Sequence, residues 1–466
     1  MISPTLQTAY FLFPFYQPDH LNSNPRMTTK EKVAIVAIGD VGVGKSTTLG
    51  HLYYRNELIE ARIIRKFEAE GHEIGRSSYK YAWVFDSLRA ERERGMTIDA
   101  KLKKIETSTK IFTIIDAPGH KYYVKNMISA THQADVALLF VSAANGEFEA
   151  GNSLFGATKT HAQLAYALGI KQIIVVVNKM DESSVKYSQA RFEEVQATMS
   201  RLLSKAGFPP QRTSYIPISG WWGQNLTDKT SDLFWYQGPT LMEALNATVV
   251  PVRPVDRPLR IPIRNVFNIG GVGTVVVGRI ATGVLKREMI VGFTSSKYNA
   301  DVKSIEMHHN QLEEAHPGDC VGFHVNLYDQ VLRPGFVVYD PSDDPAVTCE
   351  IFEAQVVVIN HPTSIKNGYT AVVDVHTAHV PCKWSICSKL DRHTGVKLEG
   401  NTTSMKNGES GLVNFYPTKP LCVEPFALYA ALGRFAVRDM GQLVAIGVVK
   451  TTNKKSVPRT KGAISS

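Results

Sequence analysis

The sequence predicts a multidomain chain: an α/β domain on a mostly parallel, doubly wound sheet, followed by two antiparallel β-barrel domains. Three observations carry this expectation. From Lys32 to about Val250, short β-branched runs alternate with longer segments of helical period. Pro251-Val252-Arg253-Pro254-Val255-Asp256-Arg257-Pro258 then interrupts that rhythm with three prolines in eight residues, which can neither extend a helix nor sit inside a sheet. Beyond this linker, short strands are punctuated by Gly, Asn, Asp and Pro, with almost no helical period. At 466 residues the chain is too long for one core. The expected domain limits are 27–252, 253–343 and 344–452, with the second seam near Pro341-Ser342-Asp343-Asp344-Pro345.

Taken in order, Val33–Ile38 is a continuous apolar run, and Ile111–Ile115, Val136–Val141 and Ile173–Val177 repeat it. Runs of this kind mark strands covered on both faces. Thr47–Asn56 and Thr158–Leu168 are long enough to be crossover helices. Past the linker, Gly273–Ile280, Val331–Tyr339, Ala354–Ile359, Ala371–His376 and Leu443–Val449 read as strands. Residues 453–466 form a basic, flexible tail. Residues 1–26 hold apolar side chains broken by Pro4, Pro14, Pro18 and Pro25 and lack a basic leader. They read either as a disordered extension or as upstream sequence before a start at Met27, not as a secretory signal.

Composition narrows the function. With 44% apolar and 20% charged residues the chain is ordinary globular protein, neither collagen-like nor largely disordered. Lys plus Arg exceed Asp plus Glu by 52 to 43, a net +9 that suits a phosphate-rich partner as well as a merely solvated surface. Five cysteines, all in the last third, do not make a disulfide framework and fit a reducing compartment. No apolar stretch is long enough to span a bilayer, so no membrane partner is expected.

The chemistry begins at Gly39-Asp40-Val41-Gly42-Val43-Gly44-Lys45-Ser46, which fits G-x-x-x-x-G-K-[ST] between an apolar strand and a helix. Such glycines let backbone amides curl round phosphates, and the helix N-terminus adds partial positive charge. Lys45 reaches the β and γ phosphates, the Ser46 hydroxyl ligates Mg2+, and Thr47 continues the cradle. Asp116-Ala117-Pro118-Gly119 ends the next strand, placing a carboxylate near Mg2+ and the Gly119 amide near the γ-phosphate. Asn178-Lys179-Met180-Asp181 ends another. There Asp181 can accept from N1–H and the exocyclic amine of guanine, while the Lys179 stem covers the base. Ser219-Gly220, followed by Trp221, can offer amides to the guanine carbonyl. Three motifs in order at strand ends select GTP over ATP. Within Glu91–Ile98, Thr97 lies where a switch segment supplies a second hydroxyl to Mg2+, and His120 directly follows Gly119, placed to orient an attacking water.

At these residues the chain resembles the elongation factor 1-alpha family of translational GTPases, from Met27 to Lys450. The resemblance also rests on Tyr79-Lys80-Tyr81-Ala82-Trp83-Val84, Glu306-Met307-His308-His309, His376-Thr377-Ala378-His379 and Gly433–Met440. It implies a P-loop GTPase domain and two barrels that deliver aminoacyl-tRNA to the ribosomal A site. GTP and GDP with Mg2+ are the implied cofactors, and hydrolysis follows codon recognition. The implied partners are aminoacyl-tRNA, the ribosome and a guanine-nucleotide exchange factor, with a monomer in the cytoplasm as the setting. Lys45, Thr97 and His120 take the catalytic positions, with Val41 and Met96 shielding the histidine. His308 and Cys320 fall where the family frames the aminoacyl end of tRNA.

The chain departs from the family pattern where Gly42 stands for an Asp, Lys121-Tyr122-Tyr123 for Arg-Asp-Phe, and Cys320 for an Asn. Two rival readings follow: a termination or ribosome-rescue GTPase of the same superfamily, or a GTP-binding paralogue with slow or lost turnover. His376, His379, Cys382 and Cys387 depart from the usual zinc spacings and read as packing. Trp221-Trp222 and Trp235-Tyr236 read as core or interface anchors, and Arg434, Arg438 and Lys450 are candidates for tRNA phosphate.

Overall fold

The computed structural model describes residues 30–153, 156–270, 273–327, 332–391, 394–398 and 403–454. The expectations for residues 1–26, and for the tail from 455 onward, lie outside them. The chain divides into two compact units, 1–252 and 253–466.

The first unit holds a six-stranded sheet in the order β2-β3-β1-β4-β5-β6. Its strands are β1 (Glu31–Gly39), β2 (Lys101–Glu106), β3 (Lys110–Asp116), β4 (Val136–Ser142), β5 (Gln172–Asn178) and β6 (Thr213–Pro217). All neighbours run parallel except β2, which pairs antiparallel with β3 at the edge. Every residue of β4 is buried, as a central strand covered on both faces must be. In β1, Val33, Ile35 and Ala37 face one core with Leu49 and Leu52 of α1 (Lys45–Arg55), while Ala34, Val36 and Ile38 are buried on the other side. Helices α2 (Ala61–Glu73), α3 (Val124–Thr131), α4 (Ala157–Ala167) and α5 (Gln189–Ala206) complete the layers. This is a doubly wound, mostly parallel sheet. Its parallel strands end at Gly39, Asp116, Ser142, Asn178 and Pro217, so loops carrying four of the motifs gather at one edge.

The second unit holds two closed six-stranded antiparallel barrels. In the first, Ile290–Phe293, Val337–Tyr339, Ile261–Ile269, Gly273–Arg279, Cys320–Val325 and Asn299–Met307 follow one another, and the last pairs with the first. In the second the order is Thr370–Val375, Arg434–Asp439, Gln442–Lys454, Cys349–Val358, Ser410–Pro417 and Ala378–Leu390. Closure leaves these strands without free edges. Of the strand read at Val331–Tyr339, Val331 lies outside the described residues; the strand runs over Val337–Tyr339, after Gly335 (φ 94) turns the chain with its amide bonded to Ile263 O. Among the described residues, no helix is long and apolar enough to cross a membrane.

Candidate nucleotide site

The turn after β1 delivers Lys45 as the first residue of α1. Gly44 caps that helix at φ 87, and a side chain there would sit 2.3 Å from Asn178 Nδ2. Lys45 is buried, and its ammonium donates to Gly39 O (3.0 Å) and Asp40 O (2.7 Å). Burial lowers its pKa, against the opposing pull of Asp116, Asp40 and Asp86. The Asp40 carboxylate accepts from its neighbour Val41 N (2.7 Å) and from Ala157 N at the start of α4 (3.1 Å), which fixes the outer limb of the loop. Behind the loop, His161 on α4 accepts from Gly39 N through Nδ1 (3.1 Å), and burial lowers its pKa to about 3.

A cluster of oxygens lies beside Lys45. Ser46 Oγ donates to Asp116 Oδ2 (2.6 Å) and stands 3.1 Å from Thr97 Oγ1, which donates to Asp86 Oδ1 (3.0 Å). Burial lifts Asp116 to about 6. Asp86 rises to about 8, first through burial and then through its carboxylate neighbours Asp116 and Glu91. Asp116 Oδ1 is buried without a hydrogen-bond partner. Thr97 reaches this cluster because the buried Glu91 carboxylate folds its segment: one oxygen accepts from Ile98 N and Asp99 N, the other from Leu88 N. Hard oxygen donors, an orphaned carboxylate oxygen and two hydroxyls suit Mg2+.

Gly119 lies so close that a Cβ would come within 2.5 Å of Lys45 Nζ. His120 follows it, and its Nδ1 accepts from Tyr122 N (3.2 Å), so the neutral ring carries its proton on Nε2. The Tyr122 ring lies 4.7 Å from that of His120. His120, Val41 and Met96 line one cleft of about 450 Å3 together with Gly42, Gly44, Lys45, Ser46, Thr47, Thr97 and Gly119.

The other end of the cleft is lined by Asn178, Lys179, Asp181 and Trp221. Asn178 acts as a buckle: Nδ2 donates to Val43 O and Oδ1 accepts from Gly220 N, each at 2.8 Å. Lys179 adopts φ 64 and pairs with Glu147 at 2.7 Å. Ser219 Oγ accepts from Trp222 N (3.2 Å). Gly39, Asp40, Val43, Asp116, Ser219 and Gly220 thus support the cleft through these contacts without lining it. Sequence reasoning passed over Asp86, Glu91 as an anchor, and Ser78, and named Tyr79 only for the resemblance; Asp86, Ser78 and Tyr79 also line the wall.

In the barrel unit, the strands Asn299–Met307 and Cys320–Val325 pair as far as Glu306 opposite Gly322, and His308 and Cys320 each lie two residues beyond that pair. His308 (φ 51) and His309 (φ 67) form the two-residue turn after Met307. Arg438 binds the buried Asp374, and the Arg434 guanidinium lies 4.4 Å over the Phe426 ring. His376 donates to Cys422 O through Nε2, His379 pairs with Asp374, and Cys382 donates to Val380 O.

A parallel sheet that gathers a lysine-bearing phosphate loop, an oxygen cluster and an Asn-Lys-x-Asp loop into one cleft defines a P-loop GTPase. Three segments match family models: residues 30–251 the elongation factor Tu GTP binding domain, 273–339 elongation factor Tu domain 2, and 351–450 the GTP-eEF1A C-terminal domain-like family. Elongation factor 1-alpha of Entamoeba histolytica is 53% identical over 92% of this chain and 97% of its own length. Elongation factor 1-alpha 1 of Euplotes crassus is 49% identical over 93% and 98%. The S. cerevisiae Ski7 GTPase-like domain shares the fold at TM-score 0.75 and 18% identity, over 90% of this chain and 97% of that one. The chain belongs to the elongation factor 1-alpha family. It is a translational GTPase that binds guanine nucleotide and hydrolyses GTP.

Proposed function

We propose that the chain, in its GTP form, carries aminoacyl-tRNA to the ribosomal A site and hydrolyses GTP on codon recognition. Beside family membership, the observation that supports this reading is the pairing of Glu306 with Gly322, which leaves His308 and Cys320 each two residues beyond it at one end of the strand pair, where the aminoacyl end would be framed. The working parts are 27–252, 253–343 and 344–452. The protein acts as a monomer in the cytoplasm, and a guanine-nucleotide exchange factor reloads it.

In the cleft, the amides of Gly42, Gly44, Lys45, Ser46 and Thr47 and the Lys45 ammonium hold the phosphates, with Gly39, Asp40 and Val43 shaping the loop behind them. Ser46, Thr97 and Asp116 would hold Mg2+, which when bound would neutralise phosphate charge. Asn178, Lys179, Asp181, Ser219, Gly220 and Trp221 shape the guanine end. The Gly119 amide meets the γ-phosphate, and His120, its proton on Nε2, orients the water that attacks in line. Loss of the γ-phosphate releases the Thr97 segment, which couples hydrolysis to tRNA release.

Filter binding tests the reading: charged tRNA is retained with GTP and lost with GDP, whereas equal retention of uncharged tRNA refutes it. His120→Ala should leave GTP affinity within about twofold and slow ribosome-stimulated single turnover by about a hundredfold or more.

A further inference from the structure

The guanine-side loop is held from two directions, and the role of Asn178 accounts for only one. The other support is α1, the helix that opens at the phosphate loop. Thr48, His51 and Arg55 stand at i, i+3 and i+7 on one face of that helix. The loop meets this face with glycines. A Cβ at Gly220 would lie 2.1 Å from Thr48 Oγ1, and one at Gly223 would lie 2.6 Å from His51 Cε1 and 3.0 Å from Arg55 Nε.

His51 supplies the directional contact. Its ring is buried, and Nδ1 lies 2.9 Å from Gly220 O. A carbonyl can only accept, so Nδ1 carries the proton. One face of the imidazole stacks on Tyr81, with centroids 4.0 Å apart and planes 6° from parallel. Tyr81 meets the Trp221 ring edge-on at 5.9 Å, and the Lys80 ammonium lies over both rings at 5.5 and 5.3 Å. Burial keeps the imidazole neutral at physiological pH, its pKa lowered to about 4.

We propose that His51 is a positioning residue for base recognition: it ties the Ser219–Trp221 segment to the phosphate helix, so that the cleft's base end and phosphate end keep a fixed separation. The inference rests on the reading of that segment as the one facing the guanine carbonyl. Without the tether the segment drifts from the carbonyl, and affinity for the base falls while the phosphate end is untouched. The chemical step at His120 does not pass through His51.

The test compares wild type, His51→Leu and His51→Asn in the full chain with fluorescent GDP and with the diphosphate of 2-aminopurine riboside, which lacks the carbonyl at position 6. His51→Leu fills the site without a donor. His51→Asn keeps a donor near the Nδ1 position. For His51→Leu, GDP should dissociate about tenfold faster, the effect of about 1.4 kcal/mol, and the preference for GDP over the 2-aminopurine analogue should shrink by a similar factor. His51→Asn should restore most of both, and single-turnover hydrolysis at saturating GTP should stay within about twofold of wild type for each variant.

An unchanged base preference, with either variant bound normally or only less stable, overturns the proposal, because a residue serving the fold alone lowers affinity for both nucleotides together. Should His51→Leu fail to fold, the preference measured on His51→Asn decides: it must lie between wild type and none. Failure of wild type itself to prefer GDP over ADP is a different result, one that refutes the assignment of the guanine loop.

Discussion

Both units bury charge, and they treat it in opposite ways. In the α/β unit the buried Lys45 and Asp116 converge at the ends of parallel strands and keep bonding capacity in hand. The lysine leans on two backbone carbonyls, and one oxygen of Asp116 meets nothing. In the barrel unit the buried charges pair with each other. Arg260, fully buried, reaches Asp344 at 2.8 Å and Glu424 at 3.3 Å, with the Tyr429 ring 4.6 Å from its guanidinium and the Tyr429 hydroxyl donating to Asp344. Lys454 covers the other oxygen of Glu424. Asp374 is gripped by Arg438 and His379. Only Nε of Arg260 lacks a partner in that network. Desolvation is costly in either setting. What differs is the source of compensation, side chains of the same unit in one case and a ligand in the other.

Replacing one buried cation in each unit should therefore fail in different assays. Lys45→Ala should weaken GTP and GDP by about a thousandfold, some 4 kcal/mol, while leaving exchange protection in the barrels unchanged. Nucleotide titration and hydrogen exchange on one preparation read both. Arg260→Ala should do the reverse: Glu424, 1% exposed, keeps only Lys454, at a cost of about 3 kcal/mol to the barrels and none to nucleotide affinity. The double variant Arg260→Met with Glu424→Leu should recover most of that loss. If Arg260→Ala weakens GTP binding instead, the division between the units is wrong.

The same contrast decides how much could be read beforehand. Val136–Ser142 announces a strand buried on both faces because a central parallel strand has no polar side to display. The motifs were legible because backbone curvature demands glycine and phosphate demands a cation at fixed spacing. Glu91 was not, since a Glu/Arg run looks like a solvated helix end until the chain folds over it and buries its carboxylate. Asp86 belongs to no motif and gains meaning only when Thr97 arrives 11 residues later to bond with it. The barrel network was illegible for a related reason: Arg260 meets partners 84 and 164 residues away, a separation to which no periodicity applies. His376 and His379, suggestive as neighbours, answer to Cys422 and Asp374.

Acid should separate the units further. A buried neutral histidine binds no proton where its unfolded counterpart does, so stability is full above about pH 6.5 and falls as pH drops toward the folded value. In the barrels, His376 is lowered to about 4 by burial and should contribute a slope of up to about 1.4 kcal/mol per pH unit over that window. Asp344, lowered by the Tyr429 hydroxyl and Arg260 against its own burial, acts in the same direction below the ordinary carboxylate range. In the α/β unit His51 and His161 have that sign too. There, however, the raised Asp86 and Asp116 take up protons on folding and oppose them. Urea midpoints of nucleotide-free protein between pH 7 and 4.5, resolved by unit through deuterium labelling at fixed pH, should show the steeper loss in the barrels. His376→Asn should flatten it.

The smallest effect concerns Gly42 in the phosphate loop. Gly42 adopts φ 79, yet a Cβ there would meet no atom within 4 Å. Gly39, at φ 139, differs: its Cβ would lie 2.4 Å from Phe140 O in β4, and a strand backbone cannot yield. Gly42→Ala therefore bears only the left-handed backbone cost, about 1 kcal/mol, and should weaken GDP about fivefold. Gly39→Ala adds a collision with the β4 backbone, and should approach the loss expected for Lys45→Ala. Fluorescent-GDP titration of the pair measures the difference. Equal losses would mean that freedom at position 42, and not the close approach at position 39, governs the loop. The phosphate end would then owe its shape to local chain flexibility.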